Sequence, residues 1–289
     1  MLGSPLILSE RRRDIGGFAV GRLLPTRNRR MVGPFIFIDH MGPEIIGPDS
    51  YLDVDQHPHI GLSTLTYLME GEINHKDSLG SVRRITPGSV NWMVAGSGVT
   101  HTERTPDDMR NGNRYRIHGY QIWVALPKDI EDMSPEFHHS DASELPVWTE
   151  KDVELKLIAG EGFGRRSPVP VQSHLFMIEA KSKEERMLDI KGSLTGEIGI
   201  CVVDGHMQSN NQRIDKGHML ISGSDQLEAV TLGSRSHILL LGGESFPEKR
   251  YIHWNFVSSS VETIRAAEER WKLKQFPKVP EDDSYVEVK

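Results

Sequence analysis

The chain has 289 residues, of which 37% are hydrophobic and 26% charged, and its formal net charge is -7. This is the composition of an ordinary globular protein, and at roughly 150 residues per domain two domains are expected. The negative charge argues against a nucleic-acid-binding surface, since the arginine runs at Arg11–Arg13 and Arg27–Arg30 are too short to form a basic patch. We expect no direct contact with nucleic acid.

The single cysteine, Cys201, excludes an intramolecular disulfide framework and a zinc site built from thiolates. Its place in the apolar run IGICVV predicts a buried, unreactive side chain. The N-terminal apolar stretch is too short for a signal peptide, its charges follow it, and no window of apolar residues is long enough to span a membrane. We expect a cytoplasmic protein without membrane contact, and a monomer because two packed domains can cover each other's apolar faces.

Short segments rich in Val, Ile, Leu, Thr and aromatic residues, separated by glycines and prolines, predict many short β-strands. The predicted strands or strand pairs are, in chain order, Pro34–His40, Leu62–His75, Ser81–Gly96, His118–Pro127, Val153–Gly162, Ser173–Lys181, Gly196–Gly205, His218–Ser224, Leu227–Gly233 and Ser236–Gly243. One helix is predicted over Val261–Phe276, where Ile264, Ala267 and Trp271 recur at helical spacing after the serine-rich cap Ser258–Ser260. The fold class is therefore predicted to be all-β with a short C-terminal α-helix.

A degenerate internal repeat indicates a duplicated domain. Residues 71–98 and 196–224 each read Gly-Glu-Ile, a strand, a turn, Ile-x-x-Gly, a second strand and Gly-Ser, which places Gly88 opposite Gly217. Such a repeat predicts two tandem jelly-roll-like β-barrels. The predicted domains are residues 1–140 and 141–289, with a polar linker at 138–150.

Two histidines stand one residue apart in the stretch DQHPHIGLSTLTY, at the start of a predicted strand. Side chains at positions i and i+2 of a strand point to the same side, about 6 to 7 Å apart, so His57 and His59 would face one point. Pro58 favours this extended form, because it fixes its own φ and restricts the residue before it. On this motif alone, a turn that carries two histidines stays open as the alternative.

A second pair of this kind follows in AGSGVTHTERT, where His101 and Glu103 again occupy positions i and i+2. Two neighbouring antiparallel strands carrying these pairs would bring three imidazoles and one carboxylate together, with room for solvent or substrate. That set of ligands suits Fe(II), Mn(II), Ni(II) or Cu(II) and differs from the closed, cysteine-rich sites of structural zinc. The sequence therefore predicts a metal site made of His57, His59, His101 and Glu103.

Three longer segments resemble one known family: HPHIGLSTLTYLMEGEINHKDSLG, ITPGSVNWMVAGSGVTHTE and HGYQIWVALP. They are similar to the pirin family of the cupin superfamily, and the likeness runs from GPFIFIDHMGP to the helix after WNFVSSS. The resemblance implies a bicupin with one mononuclear metal ion in the N-terminal barrel, with Fe(II) expected first and Mn, Ni, Cu or Zn as alternatives. The family's ligands fall on His57, His59, His101 and Glu103, which the pairing of strands had already selected.

Pirins are associated with two kinds of activity. The first is quercetin 2,3-dioxygenase chemistry, in which O2 opens a flavonol with loss of carbon monoxide, and there Glu103 would be the catalytic base. The alternative is a non-catalytic pirin whose metal oxidation state alters a surface that meets a protein partner, as in pirins that resemble transcriptional coregulators. We expect the dioxygenase, with O2 and a small, flavonol-like aromatic molecule as its substrates.

The chain departs from the family pattern at two places. The commonest family form has an arginine after the second histidine, where this chain has Ile60. An apolar residue there would alter substrate preference if the pocket opened beside it. The second barrel has no His-x-His, and the repeat places Glu228 and Val230 opposite His101 and Glu103, so we expect no metal in that barrel.

Other histidines and aromatic residues have two interpretations each. His75 and His118 either line the cavity and orient a metal ligand, or are strand-end histidines bonded to backbone groups. His138 and His139 are predicted on the surface, in the linker. Four more residues are predicted in the core, although one or two of them could wall an aromatic pocket: Phe37, Trp92, Met93 and Trp123.

Overall fold

The computed structural model describes residues 5–15, 18–48, 50–223 and 226–288. This part of the chain consists of β-strands followed by one α-helix, which confirms the predicted all-β class with a C-terminal helix. Ser224, the last residue of one predicted strand, lies outside the described residues. Within the described ranges, no helix has the length and apolar character that crossing a membrane requires.

The contacts divide the chain into two compact units, and each unit draws on more than one segment. The first unit contains the described residues of 12–20, 38–142 and 247–289, and the second unit contains those of 1–11, 21–37 and 143–246. Strands β1 to β12 are Leu6–Ser9, Arg11–Ile15, Phe18–Leu24, Phe35–Ile46, Asp53–His59, Leu62–Glu70, Ile73–Asp77, Val82–Ile85, Val90–Val94, Val99–Arg104, Tyr115–Ala125 and Glu136–Ser140.

Strands β13 to β25 are Val147–Glu150, Val153–Gly162, Arg165–Arg166, Leu175–Ser182, Arg186–Asp189, Glu197–Asp204, His206–Ser209, Gln212–Asp215, His218–Gly223, Ala229–Leu232, Ser236–Gly243, Tyr251–His253 and Phe256–Ser258. Helix α1 is Val261–Lys272, and two short 3-10 segments occupy Asp107–Met109 and Lys128–Ile130. The predicted linker is partly strand, because His138 and His139 lie on β12, which pairs with β9. His139 Nδ1 is 2.6 Å from Asn91 Oδ1 on that neighbouring strand.

Both units have the same sheet topology. The large sheet that includes β6, β9, β11 and β12 of the first unit runs β12-β9-β6-β11-β4-β3-β2, and the small sheet runs β5-β10-β7-β8. In the second unit the orders are β1-β21-β18-β23-β16-β14-β13, with β15 paired to β14, and β17-β22-β19-β20. The orders correspond strand for strand, with β5 matched to β17 and β10 to β22. Gly88 and Gly217, paired by the sequence repeat, have φ values of 79° and 75°.

The residues after Phe246 return to the first unit, whereas the sequence assigned all residues beyond 140 to the second domain. Apolar packing explains this return, because Ile60 forms a parallel bridge with Phe256 of β25. The buried members of the resulting cluster are Ile60, Phe256, Ile264, Ala267, Trp271 and Phe276. The C-terminal helix is therefore part of the unit that carries the histidine pair, not of the other one.

Helix α1 begins where the sequence predicted and ends earlier. Ser260 Oγ accepts a hydrogen bond from the Thr263 N–H at 3.2 Å, which caps the first turn. The helix ends at Lys272, four residues before the predicted end at Phe276. Lys274 has a φ of 55°, in the left-handed region that commonly terminates helices.

Candidate metal centre

Strands β5 and β10 are antiparallel neighbours, and their register places His57 opposite His101. The register shifts between His101 and Glu103, which marks a bulge in the ladder. The two histidines of the first pair stand at the end of β5 and not at the start of a strand, because the backbone turns at Gly61. That glycine has a φ of 67°, and a Cβ there would lie 2.0 Å from the Val257 carbonyl oxygen.

The structure brings three of the predicted ligands together. His57, His59 and His101 each offer a ring nitrogen, and these atoms all lie within 4.8 Å of one another. The three side chains are buried, and the ring centroids of His57 and His101 are 4.3 Å apart. Among the residues that the structure describes, they form the one group of this kind, and Glu103 is not part of it.

In two of the rings, the Nδ1 atom forms a hydrogen bond with a backbone carbonyl. His57 Nδ1 is 2.8 Å from the Asp55 oxygen, and His59 Nδ1 is 3.1 Å from the Asn255 oxygen. A carbonyl oxygen only accepts hydrogen bonds, so each ring donates from Nδ1 and keeps a lone pair on Nε2. This arrangement, with the second ring nitrogen bonded to backbone, is typical of histidines that bind metal.

Burial also keeps these imidazoles neutral. It lowers the pKa of His57 to about 4, and it lowers the pKa values of His59 and His101 well below the usual range, with neighbouring histidines adding to the effect. Neutral imidazole is the form of histidine that binds a metal ion. The residues present therefore fit a metal ion, which His57, His59 and His101 could hold.

His101 has a different environment at its outer nitrogen. His101 Nδ1 lies 3.3 Å from His75 Nδ1, and His75 Nε2 lies 3.0 Å from Asp77 Oδ2. Asp77 Oδ1 accepts hydrogen bonds from the backbone N–H groups of Leu79 and Ser81. Burial acts to raise the pKa of Asp77, but the contacts with His75 and Ser81 outweigh it and lower the pKa.

Glu103 is buried beside two polar side chains of the large sheet. Thr66 Oγ1 donates a hydrogen bond to Glu103 Oε1 at 2.9 Å, and it is also 2.9 Å from the Gln121 carboxamide. Burial raises the pKa of Glu103, against the opposing effects of His75 and of the Thr66 hydrogen bond. A carboxyl group with a raised pKa takes up a proton more readily than an exposed one, as a general base must.

The predicted pocket residues divide between the site and the core. Trp123 belongs to the site, since its ring meets the His59 ring edge-on at a centroid distance of 5.0 Å. Trp92 and Met93 are buried in strand β9. Ile60, the departure from the family pattern, is 4% exposed and packs in the apolar cluster with helix α1.

His75 and His118, which the sequence left with two interpretations, lie in different places. His75 is next to His101, as described above, whereas His118 pairs with His40 through Nε2 atoms 2.9 Å apart. Tyr120 stacks on His40 with ring centroids 4.5 Å apart. His118 is therefore held by a second histidine, and it is not a member of the group of three.

A cavity of about 460 Å³ on the first unit does not include the histidines. Among its lining residues, Arg84 bonds to both Asp108 and Glu72. This cavity is therefore separate from the group of three histidines.

In the second unit, the strands that match β5 and β10 in the sheet order carry a buried apolar pair. Leu188 of β17 pairs with Val230 of β22, and both are buried in the core of that unit. Glu228 is exposed and forms an ion pair with Lys191. Cys201 is buried as well, and burial raises the pKa of its thiol, in keeping with the predicted structural role.

Sequence reasoning missed Thr66, Gln121 and Asp77. Along β6, Thr66 points to the opposite side of the strand from its neighbours Leu65 and Tyr67. A polar side chain in a strand that is buried on both sides indicates a polar site inside the barrel. That alternation could have identified Thr66. The partnership of Asp77 with His75 could also have been suspected, since the two are at positions i and i+2 of one short strand.

Comparison with known proteins agrees with this geometry. Two family models match the chain, Pirin over residues 17–124 and the Pirin C-terminal cupin domain over residues 177–277. A pirin-like protein of Caulobacter vibrioides is 42% identical over 284 residues, which are 96% of each chain. A Pseudomonas aeruginosa protein named "Putative quercetin 2,3-dioxygenase" is 37% identical over 260 residues, 89% of this chain and 80% of that one.

The solved structures include a close match. The crystal structure of quercetin 2,3-dioxygenase from Acinetobacter baumannii has 31% sequence identity and a TM-score of 0.91, and covers 99% of this chain and 95% of that chain. The similarity thus extends over both units, each with its large and small sheet, and over the strands that carry the histidine group. With two matching family models and this duplicated fold, a bicupin, the chain belongs to the pirin family.

Proposed function

We propose that the protein is a metal-dependent dioxygenase of the quercetin 2,3-dioxygenase type, which opens a flavonol with O2 and releases carbon monoxide. The observation that carries this proposal is the group of three buried, neutral imidazoles with the buried Glu103 close by on the same strand as His101. The names of two relatives, one from Pseudomonas aeruginosa and one of known structure from Acinetobacter baumannii, support the same reaction class.

His57, His59 and His101 would hold one divalent transition-metal ion, and Glu103 would be the fourth ligand. Fe(II) is the first candidate, and Mn, Ni, Cu or Zn are alternatives, because imidazole and carboxylate groups suit all of them. When bound, the ion would supply a Lewis acid for the flavonol 3-oxygen and, for each candidate except Zn, a redox-active centre for the reaction with O2.

Glu103 would remove the proton of the flavonol 3-hydroxyl group. Its raised pKa makes the carboxylate a competent base, and the hydrogen bond from Thr66 holds Oε1 in place. Trp123 offers an aromatic surface next to His59, against which a flat ring system could pack. The same residues exclude water from the proton transfer, because the group around His101 is almost fully buried.

The test is anaerobic reconstitution with Fe(II), Mn(II), Ni(II) or Cu(II), followed by addition of O2 and a panel of flavonols. Loss of flavonol absorbance and release of carbon monoxide should appear together, and faster than with the free ion. If every metal form leaves the flavonols untouched, the dioxygenase proposal fails. A protein that binds metal but consumes no flavonol would instead support the non-catalytic alternative, with a protein partner.

Two substitutions test the assigned ligands and the assigned base. His57→Ala should weaken metal binding about tenfold or more, whereas Glu103→Gln should reduce turnover about a hundredfold because it removes the base. His138→Ala is the matched control, since His138 bonds to Glu136 on strand β12 and should change neither quantity. Metal affinity of His57→Ala equal to that of the unmodified protein would refute the ligand assignment.

A further inference from the structure

The three histidines of the group differ in what holds their outer nitrogen. His57 and His59 each donate Nδ1–H to a backbone carbonyl, which no side-chain substitution removes. Among the described residues no backbone carbonyl bonds to the His101 ring, and its Nδ1 lies 3.3 Å from His75 Nδ1. Which ring nitrogen of His101 carries the proton therefore depends on a side chain.

The proton arrangement along this chain of contacts follows from what each atom can do. The Asp77 carboxylate only accepts hydrogen bonds, so His75 must donate to it from Nε2 at 3.0 Å. When His75 is neutral it has one N–H, on Nε2, so its Nδ1 carries no proton and can only accept a hydrogen bond. Its neighbour at 3.3 Å is His101 Nδ1, which must supply the proton for this contact.

We propose that His75, oriented by Asp77, is a positioning residue that accepts the Nδ1 proton of His101 and so leaves His101 Nε2 free to bind the metal ion. The proposal rests on the metal site described under the proposed function and adds to it the side chains that prepare one ligand. Metal-binding histidines commonly depend on such an acceptor at the other ring nitrogen.

The surroundings hold this arrangement in one orientation. Phe137 stacks on the His75 ring with centroids 4.7 Å apart and an interplanar angle of 23°. Asp77 is fully buried, and the N–H groups of Leu79 and Ser81 fix its Oδ1. Neither the His75 ring nor the carboxylate can turn without breaking one of these contacts.

The predicted proton positions also place two lone pairs opposite each other, which a cation would stabilise. His59 donates from Nδ1, so its Nε2 presents a lone pair to His101 Nε2 at 3.1 Å. If His101 donates from Nδ1 to His75, two lone pairs face each other at that distance. A metal ion held by His59 and His101 would satisfy both lone pairs, so the position of the His101 proton on Nδ1 would favour binding of the ion.

The first experiment compares two substitutions of nearly equal size in the full-length protein. Asparagine places an oxygen acceptor near the position of Nδ1, whereas leucine places a methyl group there. With Ni(II) as the probe, competing with a chelator, His75→Leu should bind about tenfold or more weakly. His75→Asn should recover most of the affinity, and equal affinities for both variants and the unmodified protein would overturn the proposal.

The second experiment moves the proton to the other ring nitrogen in both His75 and His101. Asp77→Asn keeps one oxygen, which the backbone N–H groups of Leu79 and Ser81 occupy, so its NH2 group must face His75. His75 would then accept at Nε2 and donate from Nδ1, and His101 would carry its proton on Nε2. Ni(II) affinity should fall about tenfold, whereas Asp108→Asn, a control at the exposed partner of Arg84, should leave it unchanged.

The third measurement uses the unmodified protein without metal, so it tests the proposal even if the variants fail to fold. Nitrogen-15 NMR of the metal-free, histidine-labelled protein at about pH 8 reports which ring nitrogen carries the proton. His75 should carry it on Nε2 alone, and a proton on its Nδ1 would overturn the proposal. If the unmodified protein binds no Ni(II), the metal site itself is wrong, and this tautomer still tests the role of His75.

Discussion

Replacement of Ile60 by arginine, the residue of the commonest family form, tests whether this position faces a pocket or the core. The side chain is 4% exposed and packs with Phe256 and with the apolar face of helix α1. Removing a buried isoleucine from apolar contacts costs about 1.5 to 3 kcal/mol, and an unpaired buried charge adds several more. We expect Ile60→Arg to lower the free energy of unfolding by at least about 3 kcal/mol.

Urea unfolding of the metal-free protein measures this change, followed by the fluorescence of Trp254 and Trp271, which lie in or against the same cluster. Ile60→Val should cost only about 1 kcal/mol, because it removes one methyl group. Val82→Arg, at a position 63% exposed in the same unit, should cost less than about 0.5 kcal/mol. An Ile60→Arg protein within about 1 kcal/mol of the unmodified one would show that the side chain can reach solvent, and would refute this reasoning.

Three further results are expected. Burial acts to raise the pKa of Glu179, but His237, whose nitrogen is 2.9 Å away, and Lys181 together outweigh it and lower the pKa from 4.5 to about 2. Stability is therefore lost as the pH falls from 4.5 towards 2, by roughly 3 kcal/mol, and Glu179→Gln should flatten this decline in acid unfolding curves. Ser260→Ala should lower the unfolding free energy by about 1 kcal/mol, and an unchanged urea midpoint would contradict the cap. Cys201 should react with a thiol reagent only after urea unfolds the protein, and rapid labelling of the native protein would contradict its burial.

Local patterns predicted the strands well because their signal is short-range. Segments such as Val153–Gly162 combine β-branched residues with glycine boundaries, and the structure has a strand with the same bounds. The pairing of His57 with His101 was also accessible, since the spacing of i and i+2 places ligands on one face of a strand. Both inferences depend only on backbone periodicity.

Contacts between distant segments could not be obtained in the same way. Nothing near Ile60 in the sequence shows that Phe256 and helix α1 cover it, because that contact joins residues far apart in the chain. The carbonyl of Asn255 that bonds His59 is equally distant in the sequence. Helix α1 ended earlier than its apolar spacing indicated, because the left-handed backbone at Lys274 is not visible in that spacing.

Because the two units share one topology but differ in the histidine group, one unit can serve as a control for the effect of a metal ion on the stability of the other. An ion that binds only the folded histidine group stabilises the unit that contains it, by about 2.7 kcal/mol when its free concentration is a hundred times the dissociation constant. The other unit has Leu188 and Val230 on the matching strands and no such histidine group among its described residues, so we expect no stabilisation of it by the ion. In calorimetry, removal of the ion by a chelator should therefore lower the melting temperature of one unit and leave that of the other unit unchanged.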